Sequence, residues 1–202
     1  MSTTRTPRVG EQRPGGRAAR VRNAVLVATA ELLDEVGHEA MTYDEIASRA
    51  GVDKTTVYRR WPSKLELIAD ALDLHSEQQV PVPDTGTLAG DLTALAAAVT
   101  ANITSPGGAR RSTSMVAATA HSDELAETVH QFMSRRVALT APIVERAIER
   151  GELPADTDPR LVIEALVGPI WFRLLLTGEP IENAFLSALV TLVETGAHAA
   201  RD

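Results

Sequence analysis

The stretch Asp53 to Leu67, "DKTTVYRRWPSKLEL", gathers Lys54, Arg59, Arg60 and Lys64 around Tyr58 and Trp61. These side chains offer cationic donors, hydroxyls and flat apolar surface, a set that suits a polyanion. Arg and Lys pair with guanine edges or phosphates, Thr and Tyr hydroxyls bond phosphates, and a Thr methyl can touch a thymine methyl. At about 100° per residue on a helix, Val57 and Trp61 fall together and face inward. Thr55, Thr56, Tyr58, Arg59 and Arg60 spread over the opposite side, and Lys54 reaches outward from the helix start. Lys64 stands at the N-terminus of the next helix, where free amides favour an anion. The chemistry implied is DNA binding through a major groove. A basic helix is also what a solvated surface looks like, so the surrounding elements must decide.

Other chemistries find little support. The chain has no cysteine, which excludes disulfides, thiolate nucleophiles and thiolate metal sites and suits a reducing compartment. His38, His75, His121, His130 and His198 never pair at metal-ligand spacing. "SPGG" opens no strand–helix phosphate loop, and Asp123–Glu124 read as first-turn helix charges. Nothing offers a nucleophile with an oriented base. The expectation is a protein that is not an enzyme, with no metal and no cofactor. Arg110–Arg111 and Arg135–Arg136 could receive an anionic ligand, though solvated faces are the simpler account.

Composition points to helices. Apolar residues make up 44% of the 202 and aromatics only 3%, so the core must be mostly Ala, Leu and Val, and β-formers are sparse. Net charge is −7, unevenly spread: residues 1–64 hold 11 Lys+Arg against 8 Asp+Glu, and the remainder 9 against 19. That asymmetry assigns the polyanion to the N-terminal third. No apolar run approaches the roughly 18 residues of a membrane span, and no secretory signal is legible. The expected location is the cytoplasm, associated with the nucleoid.

The positioning elements follow from periodicity. Residues 1–16 read as a disordered basic arm. Val21, Val25, Ala28, Leu32 and Val36 recur at helical spacing up to Gly37. Thr42 with Glu45 forms a capping box for a short helix that Gly51 ends, and Asp53 is the N-cap of the next. Two short helices around a glycine turn are a helix-turn-helix. Ser63 with Glu66 suggests another capping box. After a linker at 78–87, helices are expected over Leu88–Ile103, Arg111–Ala120, a long one from Ser122 that Pro142 kinks, Arg160–Thr177 and Ala184–Ala197. The fold class is all-α, with about nine helices. The last two segments are apolar on nearly every side, so they require burial. Pairing with their own copies around a two-fold axis would supply it, placing Leu161, Leu174, Leu189 and Val193 at a dimer interface.

The run "VLVATAELLDEVGHEAMTYDEIASRAGVDKTTVYRRWPSKLEL", residues 25–67, resembles the DNA-binding domain of the tetracycline-repressor (TetR) family. The likeness rests on the Ala-rich first helix ending at Gly37, Thr42, "IASRAGV", Tyr58, the aromatic at Trp61, and Lys64–Leu65. Thr55 stands where many members have Gly, and Trp61 where many have Phe. At lower specificity, "GELPADTDPRLVIEALVGPIWFRLLLTGEPI" resembles the dimerisation region of one subgroup.

The resemblance implies three segments: the arm at 1–16, a three-helix DNA-binding domain at 17–64, and a helical ligand-binding and dimerisation domain at 65–202. It implies a homodimeric regulator, usually a repressor, bound to double-stranded operator DNA and released by a small-molecule effector. It carries DNA contact onto Thr42, Lys54, Thr55, Thr56, Tyr58, Arg59, Arg60 and Lys64, with Arg17, Arg20 and Arg22 beside them. An effector pocket is expected among Asn102, Met115, His121, Phe132, Met133, Trp171 and Phe172. The alternative is a regulatory or architectural DNA-binding protein without an inducer, which would lack a hollow C-terminal domain.

Overall fold

The computed structural model describes residues 14–199. These form ten α-helices: α1 (Pro14–Ala40, broken by a kink at Gly37, φ 80°), α2 (Tyr43–Ala50), α3 (Lys54–Arg60), α4 (Lys64–Gln79), α5 (Leu88–Thr104), α6 (Pro106–His121), α7 (Asp123–Thr140), α8 (Pro142–Glu149), α9 (Pro159–Phe172) and α10 (Asn183–Ala199). A π-helical turn, Arg173–Thr177, extends α9 to Gly178. No strand occurs among the described residues. The expected arm lies outside them up to residue 13, and Pro14–Gly16 are already helical.

Most helix starts come from local chemistry. Thr42, Asp53, Thr87, Ser105, Ser122 and Asp158 each accept a hydrogen bond from a first-turn amide, which satisfies donors the helix leaves open. The box expected at Ser63 does not form: Ser63 makes no side-chain cap bond. Pro142 does more than kink the long segment. Lacking an N–H, it divides the run into α7 and α8, joined through Ala141.

"SPGG", which falls in the gap between the expected helices Leu88–Ile103 and Arg111–Ala120, is the first turn of α6, capped by Ser105 with Pro106 in the opening positions. Its glycines answer a close approach. A Cβ on Gly107 would stand 2.5 Å from the Asp34 carboxylate, and one on Gly108 would stand 1.8 Å from the Asn102 carbonyl oxygen. The helix therefore docks on the end of α1 and on α5 at a distance only glycine permits.

Two apolar cores result. Val25, Leu26, Leu33, Met41, Ile46, Val57, Trp61, Leu67 and Leu72 join α1 through α4, with Phe132 of α7. Leu92, Leu95, Ile143, Val162, Leu166, Ile170, Leu189 and Val193 join α5, α8, α9 and α10. Each fully buried aliphatic side chain contributes about 1.5–3 kcal/mol. Between these cores α1 touches α6, and α4 touches α7.

That arrangement corrects the expected interface residues. Leu189 and Val193 are buried in the chain's own core, and Leu174 packs against it. α10 has a buried side after all, because α5 and α9 lie along it. Leu161 does face solvent, and Phe172, Leu176 and Leu192 are likewise exposed, Leu176 at 75%.

Candidate nucleic-acid interface and helical cavity

The α2–turn–α3 unit is built around Trp61. Its indole Nε1 donates to Asp70 Oδ2 at 3.0 Å, and Arg22 Nη2 donates to the same oxygen at 3.1 Å. Tyr43 donates its hydroxyl to the Trp61 carbonyl at 2.9 Å. Trp61 thus meets α4 through its ring and α2 through its carbonyl, and Asp70 joins α4 to α1. Gly51, in the left-handed region at φ 65°, makes the turn. Asp53 accepts from the Thr55 hydroxyl at 2.5 Å and from the Thr55 amide at 2.8 Å, and these bonds hold its carboxyl below the usual range.

With Val57 and Trp61 inward, Lys54, Thr55, Tyr58, Arg59 and Arg60 are exposed on one surface, and Thr56 is half-buried at its edge. Tyr58 stacks on Tyr43 with ring centroids 4.3 Å apart, which fixes its hydroxyl at the rim. Arg59, Arg60 and Thr56 face Arg17 and Arg22 of α1 across a groove of about 560 Å³. Lys54 Nζ pairs with Asp44 at 2.6 Å, but both are exposed. Such a pair contributes about 0–1 kcal/mol, so a phosphate can displace Asp44 at little cost. Lys64 Nζ donates to the Glu39 carbonyl at 3.4 Å. Thr42 is set apart: its hydroxyl donates to Glu45 Oε2 at 2.7 Å and accepts from the Glu45 amide at 3.3 Å, so it caps α2.

The second feature is a cavity of about 570 Å³ walled by α4, α5, α7 and α9. Of the expected pocket residues, Asn102, Phe132, Met133 and Trp171 line it. Met115 packs instead against the N-terminal core. Phe172, one residue past Trp171, points outward because the helix turns it away, and it is 55% exposed. The His121 side chain falls outside the described residues. Leu95, Val99, Ile103, Val137, Ile163 and Val167 make the walls apolar, and Ser76, Arg136 and Thr140 bring polar groups among them.

A polar chain leads from this cavity to α1. Asn102 Oδ1 accepts from Arg111 Nη2 at 3.1 Å, and the other Arg111 nitrogen pairs with Asp34. His75 Nε2 lies 3.1 Å from the same Asn102 oxygen. Burial, then the charge of Arg111, depresses the His75 pKa, which favours the neutral ring. Arg110 donates to the Glu35 carbonyl at 2.6 Å, a second tie between α6 and α1. Sequence reading missed Asp34 and weighed Arg111 only within its pair. The two are 77 residues apart, and no local spacing announces such a partner.

The first-order class is clear from this geometry: a helix-turn-helix DNA-binding protein carrying a hollow helical domain. Residues 25–71 match the bacterial regulatory proteins of the tetR family, and residues 82–193 match the tetracyclin repressor-like C-terminal domain. The chain is 32% identical to the HTH-type transcriptional regulator AqdR of Rhodococcus erythropolis, over 94% of this chain and 91% of that one. It is 34% identical to the DNA-binding transcriptional repressor TetR of Mycobacteroides abscessus, over 84% and 90%. The crystal structure of the TetR family transcription regulator SCO0332 superposes with a TM-score of 0.76 at 36% identity, covering 88% of this chain and 98% of that one. The chain belongs to the TetR family of helix-turn-helix transcriptional regulators. Its relatives are regulators rather than enzymes. Among the described residues no helix is long and apolar enough to cross a membrane.

Proposed function

We propose that the protein is a ligand-responsive repressor that binds a pseudo-palindromic operator as a homodimer in the cytoplasm, at the nucleoid, and is released by a small molecule. Residues 17–64 form the DNA-binding domain, and residues 65–202 the effector and dimerisation domain. Lys54, Thr55, Thr56, Tyr58, Arg59 and Arg60 meet the major groove. Lys64 and the first turns of α1 hold phosphates, and Thr42 acts mainly by fixing the start of α2. Two-fold pairing uses the outward residues Leu161, Phe172, Leu176 and Leu192.

The observation that carries ligand response is the chain Asn102–Arg111–Asp34. It joins the cavity wall to α1, and through α1 to the groove beside α3. A ligand that bonds Asn102 or spreads α5 from α7 alters the seating of α6 on α1, and so the angle of the DNA-binding unit. This is a two-state element whose equilibrium both sites bias.

The test has two arms. Duplexes retained from a random library are sequenced, and a palindromic site whose affinity falls steeply with salt is expected; equal affinity for all sequences contradicts DNA-specific regulation. A panel of apolar and amphipathic small molecules is then added to the labelled complex. A compound that lowers operator affinity for the wild type should fail to do so for Arg111→Met, while that variant still binds the operator. Equal release from both contradicts coupling through Arg111.

A further inference from the structure

The cavity walls carry one charge that the fold does not neutralise in place. Arg136, on α7, lines the cavity half-buried, with its Nη2 donating to the Val80 carbonyl at 2.9 Å. Its neighbour Arg135 behaves differently: it is exposed and pairs with Asp73 at 2.9 Å. Asp73 and Glu77 stabilise the Arg136 charge through space, yet among the described residues no carboxylate comes within ion-pair distance of it. Burial lowers its pKa, the mark of a cation short of solvent. Of the other titratable lining residues, Arg160 and Glu164 pair with each other at 2.7 Å, and His130 is solvent-exposed. Among the described lining residues Arg136 is thus the one half-buried cation of an apolar hollow.

Resting on the reading of this cavity as the effector site, we propose that its ligand is an amphipathic monocarboxylate. The apolar body lies against Val99, Ile103, Val137 and Trp171, and the carboxylate sits on Arg136. A guanidinium presents two parallel N–H groups that match a carboxylate. A phosphate dianion would call for a second cation held in the apolar walls, whereas Arg160 and His130 are solvent-exposed. A neutral ligand of the same shape would leave the Arg136 charge desolvated and without an anionic partner, which is costly. An alkylammonium would bring like charges together.

The probes are decanoate, 1-decanol and decylammonium, below their aggregation concentrations, titrated calorimetrically into the full chain. Decanoate should bind at least about tenfold more tightly than decanol, the size expected for one charge-assisted contact, and decylammonium should bind least. Arg136→Gln should bring decanoate down to decanol and leave decanol unchanged. Arg135→Gln removes the same charge one residue away and should leave the preference intact. Arg136→Lys keeps the charge but loses the paired N–H geometry, so it should weaken decanoate several-fold even if Arg136→Gln does not fold. Equal binding of decanoate and decanol by the wild type overturns the ligand class and leaves the effector site standing. So does a preference that survives Arg136→Gln, or undiminished decanoate affinity in Arg136→Lys. Binding of none of the three probes overturns both.

Discussion

The α1–α4 unit and the α5–α10 unit use charge in opposite ways. In the first, Arg59, Arg60 and Lys54 stand exposed on a short helix whose inward side is Val57 and the buried Trp61 that follows it. In the second, Arg111 and Arg136 are drawn inward, one paired with Asp34 and one left on a cavity wall. An exposed cation costs the fold little and waits for a macromolecular anion. A cation held in an apolar wall is strained toward a partner, and that suits a small ligand. On the proposed reading, the same chain carries a surface for a polyanion and a hollow for a single anionic group, linked by α6 on α1.

The largest expected effect separates buried from outward positions on α10. Leu189→Glu places a carboxylate in the C-terminal core and should abolish cooperative folding by circular dichroism. Leu192→Glu, on the 70%-exposed position one turn further, should fold normally and sediment as a monomer. A folded Leu189→Glu, or a dimeric Leu192→Glu, breaks the assignment of inner and outer faces. Next in size, Trp61→Ala removes the buried ring that is bonded to Asp70 of α4 and should cost about 3–5 kcal/mol in urea denaturation. Because the two cores are largely separate, the loss should show first in a probe on α1–α4.

Those two cases also show where sequence reading succeeds and where it stops. α2 and α3 were legible because their signals are local: Thr42 with Glu45, Gly51, and Asp53 each act within a few residues. The exposure of Thr55 and Arg59 followed from one turn of periodicity. The C-terminal unit is assembled by long-range contacts. All-round apolarity in α10 said that it must be buried but not by what, so Leu189 and Val193 were assigned to a partner when α5 and α9 already cover them. Asn102, Phe132, Met133 and Trp171 were placed on the cavity by residue type, whereas Met115 and Phe172 show that type alone does not give direction. "SPGG" misled because two glycines usually break a helix; here they admit Asp34 and the Asn102 carbonyl.

A smaller effect probes the C-terminal unit through pH. Asp91 is fully buried at the start of α5. Burial pushes its carboxyl up, but bonds from the Thr85 amide at 2.6 Å and hydroxyl at 2.8 Å, with Arg146 at 3.4 Å, outweigh it and hold the pKa below the ordinary value. A depressed folded pKa contributes stability above the unfolded value, and that contribution is lost as pH falls through the folded one. The urea midpoint of the wild type should therefore drop through and below the usual carboxylate range. Asp91→Asn should start lower at neutral pH and change less. Parallel pH curves for the two proteins contradict that role for Asp91.

The contrast between a surface that reads bases and one that holds phosphate rests most directly on Arg59 and Lys64. Arg59 is exposed opposite the Val57–Trp61 side, and Lys64 lies beyond α3 against the end of α1. The measurement is a titration of Arg59→Ala and Lys64→Ala against the selected operator and its single-base variants at two salt concentrations. Arg59→Ala should cost about 1–3 kcal/mol on the preferred site and relax the choice at one base pair. Lys64→Ala should weaken all sequences alike and lower the salt slope by about one unit. A uniform loss from Arg59→Ala together with altered base preference in Lys64→Ala would contradict the account.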